Sequence, residues 1–208
     1  VAENAQVNIR ISATDAASSV FKKVGTSAAD LGKTLAIGVA AGGAAVAAGM
    51  GVAVKAAADF EKQMSAVKAA SGATGTEMAQ LSALALKLGA DTSKSASEAA
   101  SGIEELVKAG IPIADVLGGA ALAATNLSEA TGTDMATAAS VAAAAMSTFG
   151  KTGEDMAGVT DTVTGAVNAS SLSVEGFALG IAAAGTSVAA AGGSFEDLST
   201  ALAAMSRA

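Results

Sequence analysis

The 208-residue chain has a net charge of −7, no Cys, no His and only 2% aromatic residues. Those absences exclude disulfides, thiolate or imidazole metal sites, and Ser-His-Asp or Cys-His catalysis. No catalytic, metal or cofactor-binding residue is assigned. The hydrophobic fraction of 51% is mostly Ala, and each Ala buries little surface, so thin, closely packed helices are expected rather than a bulky core. With one proline, Pro112, and 24 glycines, the expected class is all-α, helices forming hairpins or a bundle.

Residues 1–62 carry six Lys/Arg against five Asp/Glu, net +1, and residues 63–208 carry six against fourteen, net −8. An acidic surface repels phosphate, which argues against sequence-specific nucleic-acid binding. The beginning at Val1 and the end at Ala208, inside a helical pattern, lead us to expect a piece of a longer protein.

In AQVNIRISA, Val7, Ile9 and Ile11 alternate with polar residues, the pattern of a strand-like arm over residues 1–13. Residues 14–70 read as helix, one bent rod or a hairpin, held at its end by Phe60, Met64 and Val67. Within it, residues 34–54 form a run of 21 uncharged residues between Lys33 and Lys55. As a helix this run spans about 31 Å, one hydrocarbon thickness, with marginal insertion energy. Its packing or membrane-facing positions are Leu35, Ile37, Gly38, Val39, Gly42, Ala45, Val46, Gly49, Met50 and Val52. Gly38 and Gly42 make a GxxxG, and Ala45 and Gly49 continue the small-residue spacing that lets helices approach.

From residue 71 to 208 an Ala-rich bundle is expected. GTEM (75–78), GTDM (132–135), GEDM (153–156) and SFEDL (194–198) place acids in first helical turns. Apolar stripes follow: Met78, Leu81, Ala85, Leu88; Met135, Ala139, Ala142, Met146, Phe149; and Phe195, Leu198, Leu202, Met205. Each reads as a one-sided helix. Gly89, Gly110, Gly150 and Gly192 or Gly193 are read as helix-closing caps. The start signals lie 57, 21 and about 41 residues apart, too uneven for a fixed-period solenoid. The breaks predict a chain folded back into a compact module rather than a continuous rod. Glu104 with Glu105, and Glu154 with Asp155, are the only paired carboxylates considered for catalysis. Neighbours on a helix diverge by about 100°, so solvated faces are the better reading and no enzyme is expected.

The order AADFEKQMSAVKAASGAT, LGADTSKSASEAASGIEELVKAGI, ALAATNLSEATGTDMATAASVAAAAMSTFG, DTVTGAVNASSLSVEGFALGI and GGSFEDLSTALAAMSRA, over residues 55–208, resembles the core region of tailed-phage tape measure proteins. That resemblance implies a virion protein in the tail tube or at its tip that sets tail length, nucleates assembly at the tip and leaves ahead of DNA at ejection. It implies contact with tail tube protein, tip or baseplate hub proteins and tail assembly chaperones, and a small homo-oligomer such as a trimer. The alternative is a pore or translocon component that enters the host membrane through residues 34–54.

Overall fold

The computed structural model describes residues 43–207, with side chains from residue 53. The expected arm over residues 1–13 and the helical reading of residues 14–42 lie outside the described residues. Within them the chain is helical, with no strand. The long helix α1 (Gly43–Ser71) is followed by α2 (Gly75–Asp91), α3 (Ala96–Lys108) and the single turn α4 (Ile113–Asp115). A π-turn, Val116–Ala120, leads into α5 (Ala121–Thr131), then α6 (Met135–Phe149). A 3₁₀ turn, Gly153–Asp155, opens α7 (Met156–Asn168); α8 (Val174–Gly180) runs through a second π-turn, Ile181–Gly185, into α9 (Thr186–Ala190), and α10 (Phe195–Met205) closes the fold.

The helix starts follow local chemistry. Thr74, Ser95 and Ser194 cap α2, α3 and α10 in reciprocal capping boxes with Glu77, Glu98 and Asp197, which satisfy first-turn N–H groups that have no partner inside the helix. Asp134 and Ser173 cap α6 and α8 from one side. The cap before α2 is thus Thr74, one residue ahead of GTEM, and Asp134 serves as the cap itself rather than as a first-turn acid. Helix ends divide into two kinds. Gly110 and Gly192, at φ 82° and 80°, make Schellman ends, with Ile111 N–H donating to Leu106 O and Gly193 N–H to Val188 O. Gly89 differs from the expectation: α2 runs past it to Asp91. A Cβ there would lie 2.7 Å from Ala96 Cα, so this glycine allows the α2–α3 turn to fold tightly against its own helix.

Helix α1 packs chiefly on α3, which also packs on α2 and α6; α6 in turn meets α5 and α8, and α7 meets α5 and α10. The core is one contiguous cluster from Phe60 to Leu202. Alanines fill much of it, with Ala85, Ala99, Ala100, Ala120, Ala124 and Ala138 wholly buried, so helix backbones come close and little side-chain volume is needed between them. The expected one-sided stripe fails for α6. There Met135, Ala138, Ala139, Val141, Ala142, Ala143, Ala145 and Met146 are all buried, because neighbours cover this helix on more than one side.

Candidate functional site

The surfaces through which helices dock are the candidate functional features. Ala45, Val46, Gly49, Met50 and Val52 lie on α1, whereas Leu35, Ile37, Gly38, Val39 and Gly42 lie outside the described residues. Beyond the uncharged run α1 carries Lys55, Asp59, Glu61, Lys62 and Lys68. Among the described residues no helix is long and apolar enough to cross a membrane. The transmembrane expectation for residues 34–54 is therefore unsupported over its described portion. From Lys55 to Lys68 α1 carries five charged residues in fourteen, so it does not extend the uncharged stretch toward Ser71.

The exposed residues 53–59 of α1 give way to Phe60, Met64 and Val67, which are buried. A polar clamp flanks this apolar contact. Gln63 Nε2 donates to Glu104 on α3, and Lys108 Nζ reaches both Glu104, at 2.6 Å, and Glu105, at 3.1 Å. The adjacent carboxylates thus share one ammonium. Asp155 likewise accepts from the Thr152 N–H and hydroxyl. Both members of the first considered carboxylate pair, and Asp155 of the second, therefore have structural partners. Among the described residues no cluster of acidic groups is arranged to hold a metal ion.

Of the bundle positions, Met78, Leu81, Leu88, Met135, Met146, Phe195, Leu198 and Leu202 are buried. Phe149 is part-buried and touches Phe195 edge-on, with ring centroids 5.5 Å apart. Phe195 meets Phe177 the same way at 5.9 Å. Edge-to-face geometry places a positive ring edge on a negative face, so three of the five phenylalanines join α6, α8 and α10. Met205, at the end of the expected α10 stripe, is 65% exposed, since α10 ends there.

Sequence reasoning missed the crossing of α4 with the turn before α7. Gly153 N–H donates to Asp115 Oδ1 at 3.0 Å. A Cβ on Gly153 would lie 2.6 Å from Asp115 O, and one on Gly119, at φ 150°, would collide with Gly153 O. Two backbones meet here with no room for side chains. The available signal was the GG pair before Ala120 and the glycine of GEDM, both of which also read as ordinary loop punctuation. Three further ties fasten turns to distant elements: Ser93 N–H to Glu129, Thr133 hydroxyl to Glu175, and Lys151 to Glu196. An open groove of about 310 Å³ between α7 and α10 is lined by small residues including Gly165, Ala166 and Ala203, with Asp161 and Arg207 among the rest. Arg207 donates from Nε to Ala169 O at 2.6 Å.

This all-helical, alanine-packed region coincides with a known family. The model for phage-related minor tail protein matches residues 82–208. The chain belongs to this family. The matched region begins inside α2 and takes in α3 to α10. The resemblance to tape measure proteins also holds: the tape measure protein of Pneumococcus phage Dp-1 is 36% identical over 92 residues, covering 44% of this chain and 8% of that protein. The chain thus spans a small part of this relative's length. No solved structure matches the chain.

Proposed function

We propose that this chain is the folded, non-enzymatic part of a tape measure protein that sits in the tail, within the tube lumen or at the tip. In this reading the parent protein sets tail length, nucleates tail assembly at the tip and is released ahead of DNA at ejection. Its partners are tail tube protein, hub proteins of the tip, tail assembly chaperones and further copies of itself. The observation that carries the reading is the family match over residues 82–208, taken with the named relative. The folded-back helices support a division of labour: this part is a compact module, and measuring length falls to other segments of the parent protein. A continuous helix gains about 1.5 Å per residue, which folding back forfeits.

Immunogold labelling of assembled particles with antibodies against residues 43–207 tests the location; label on tails is expected, and label on heads alone rejects it. An in-frame helical insertion of about 70 residues in the parent protein, worth about 100 Å, lengthens tails in electron micrographs if the measuring role holds. Unchanged tail length rejects that role.

A further inference from the structure

The start signals GTEM and GEDM, at residues 75 and 153, are 78 positions apart, and the same register extends well beyond them. Without a gap it pairs Gly72 with Gly150, Thr74 with Thr152, Met78 with Met156, Ser95 with Ser173, Gly102 with Gly180 and Ile103 with Ile181. In an Ala/Gly-rich chain such identities carry modest weight alone. The structure supplies independent tests, because each paired position has its own backbone and burial state.

Those states agree in chain order. Gly72 and Gly150 are left-handed, at φ 61° and 64°. The N–H and hydroxyl of Thr74 both donate to Glu77, and those of Thr152 both donate to Asp155, the paired residue. Ser95 and Ser173 are extended N-caps whose hydroxyls accept from the N–H three residues on. Burial keeps the register as well: Phe60, Met64 and Val67 pair with Ala138, Ala142 and Ala145, all buried. On the second helix Met78, Leu81, Ser82 and Ala85 pair with Met156, Val159, Thr160 and Val163, again all buried. A buried hydroxyl residue at the same place in both is not demanded by helix periodicity alone. The packing order is shared too: α1 and α2 dock on α3 as α6 and α7 dock on α8.

We infer that residues 57–103 and 135–181 are two copies of one three-helix unit, joined by a docking rule that is used twice. In the rule, the glycine seven residues past the N-cap of the unit's third helix receives a long apolar side chain from a later helix. A Cβ on Gly102 would lie 2.5 Å from Met135 Cε, and one on Gly180 would lie 2.6 Å from Leu202 Cδ1. The register ends where the second π-turn begins at Ile181. The Schellman glycines Gly110 and Gly192 lie 82 positions apart, four more than the register. Four residues are about one helical turn, and the helical run from Val174 to Ala190 is longer than α3 by that amount.

The differences between the copies are informative. Where α6 buries Ala139, Ala143 and Met146, α1 exposes Glu61, Ser65 and Lys68. Among the described residues α1 is therefore polar where the paired face of α6 is apolar and covered. Large and small residues also trade places across the shared interface. Copy one has Phe60 on its first helix and Ala99 on its third; copy two has Ala138 and Phe177, all four buried. The Gln63–Glu104 bond ties together α1 and α3, the helices that carry Phe60 and Ala99.

The exchange defines the test, made on the full 208-residue chain by urea unfolding followed at 222 nm. Phe60→Ala and Ala99→Phe each lower the midpoint, by a cavity and by overpacking, and the double variant recovers at least half of the summed loss because it recreates copy two. Loss in the double equal to or exceeding the sum overturns the inference. Should Ala99→Phe fail to fold, the smaller cycles decide. Gly102→Ala with Met135→Ala, and Gly180→Ala with Leu202→Ala, must both show a double variant less damaged than the sum of its singles, and additivity in either cycle overturns the shared rule.

Discussion

The Asp115 carboxylate accepts a 3.0 Å hydrogen bond from the Gly153 backbone N–H, 38 residues further along the chain. The bond holds the α4 turn against the turn that opens α7, where glycines leave the two backbones in direct contact. Gly153→Ala is expected to destabilise the chain by about 2–3 kcal/mol, since backbone atoms rather than a flexible side chain must move aside. Asp115→Ala leaves the contact but strips its acceptor, at a cost of about 1 kcal/mol. Thermal unfolding by circular dichroism separates the two. Equal losses would show that the hydrogen bond, not the close approach, holds the crossing.

The capping carboxylates give the chain an acid-sensitive stability. Hydrogen bonds from the Thr74 hydroxyl and N–H hold Glu77 below its ordinary value, and those from the Ser95 N–H and hydroxyl do the same for Glu98. Asp134, Asp155 and Asp197 are lowered by Thr137, Thr152 and Ser194. A carboxyl with a lowered folded pKa binds its proton more readily in the unfolded chain. Stability is therefore fully present above the unfolded value of about 4 and is lost as pH falls through the folded values. The urea midpoint should be level from pH 7 to about 5 and decline below about 4. Replacing Glu77, Glu98 and Asp197 together by Gln, Gln and Asn flattens that decline; an unchanged slope assigns the acid sensitivity to other groups.

How much was legible before the structure depends on which residues carried the message. The starts near GTEM, GTDM, GEDM and SFEDL were readable because an acid behind a small or hydroxyl residue is a local signal, needing nothing from the rest of the fold, whereas the starts of α3 at Ser95 and of α8 at Ser173 were not read. The burial of Met78, Leu81 and Leu88 was readable from spacing alone. Gly89 was misread because a glycine near a helix end looks the same whether it supplies a left-handed turn or clears space for Ala96. The 78-residue register was hidden by a third signal, GTDM at 132–135, which divides it into intervals of 57 and 21. The Asp115–Gly153 crossing was invisible because two distant segments must meet before either residue has a role.

The two kinds of glycine predict different responses to the same substitution. Gly110→Ala forces a side chain into a left-handed position and is expected to cost about 1–2 kcal/mol, with open space around the new methyl. Gly89→Ala keeps an allowed helical backbone but drives its methyl into the Ser95–Ala96 backbone. It should open the α2–α3 turn. Amide exchange near Ser95 and Ala96 reads this directly: faster exchange is expected in Gly89→Ala and not in Gly110→Ala, and the opposite order would restore the cap reading.

Phe195 is the residue on which the C-terminal helices converge, since its ring meets Phe149 and Phe177 edge-on and is 1% exposed. It also follows the Ser194 cap directly, so the same residue starts α10 and docks it. Phe195→Ala is expected to cost about 3–5 kcal/mol, while Phe195→Leu keeps most of the volume and loses the edge-to-face contacts, about 0.5–1.5 kcal/mol for each pair. Because α10 packs on α7 and α8, the alanine variant should release it first. Limited proteolysis then cuts between Gly192 and Phe195 in Phe195→Ala before any cut appears in α3 or α6, whereas simultaneous cutting throughout would mean that the bundle unfolds as one unit and that Phe195 has no separate docking role.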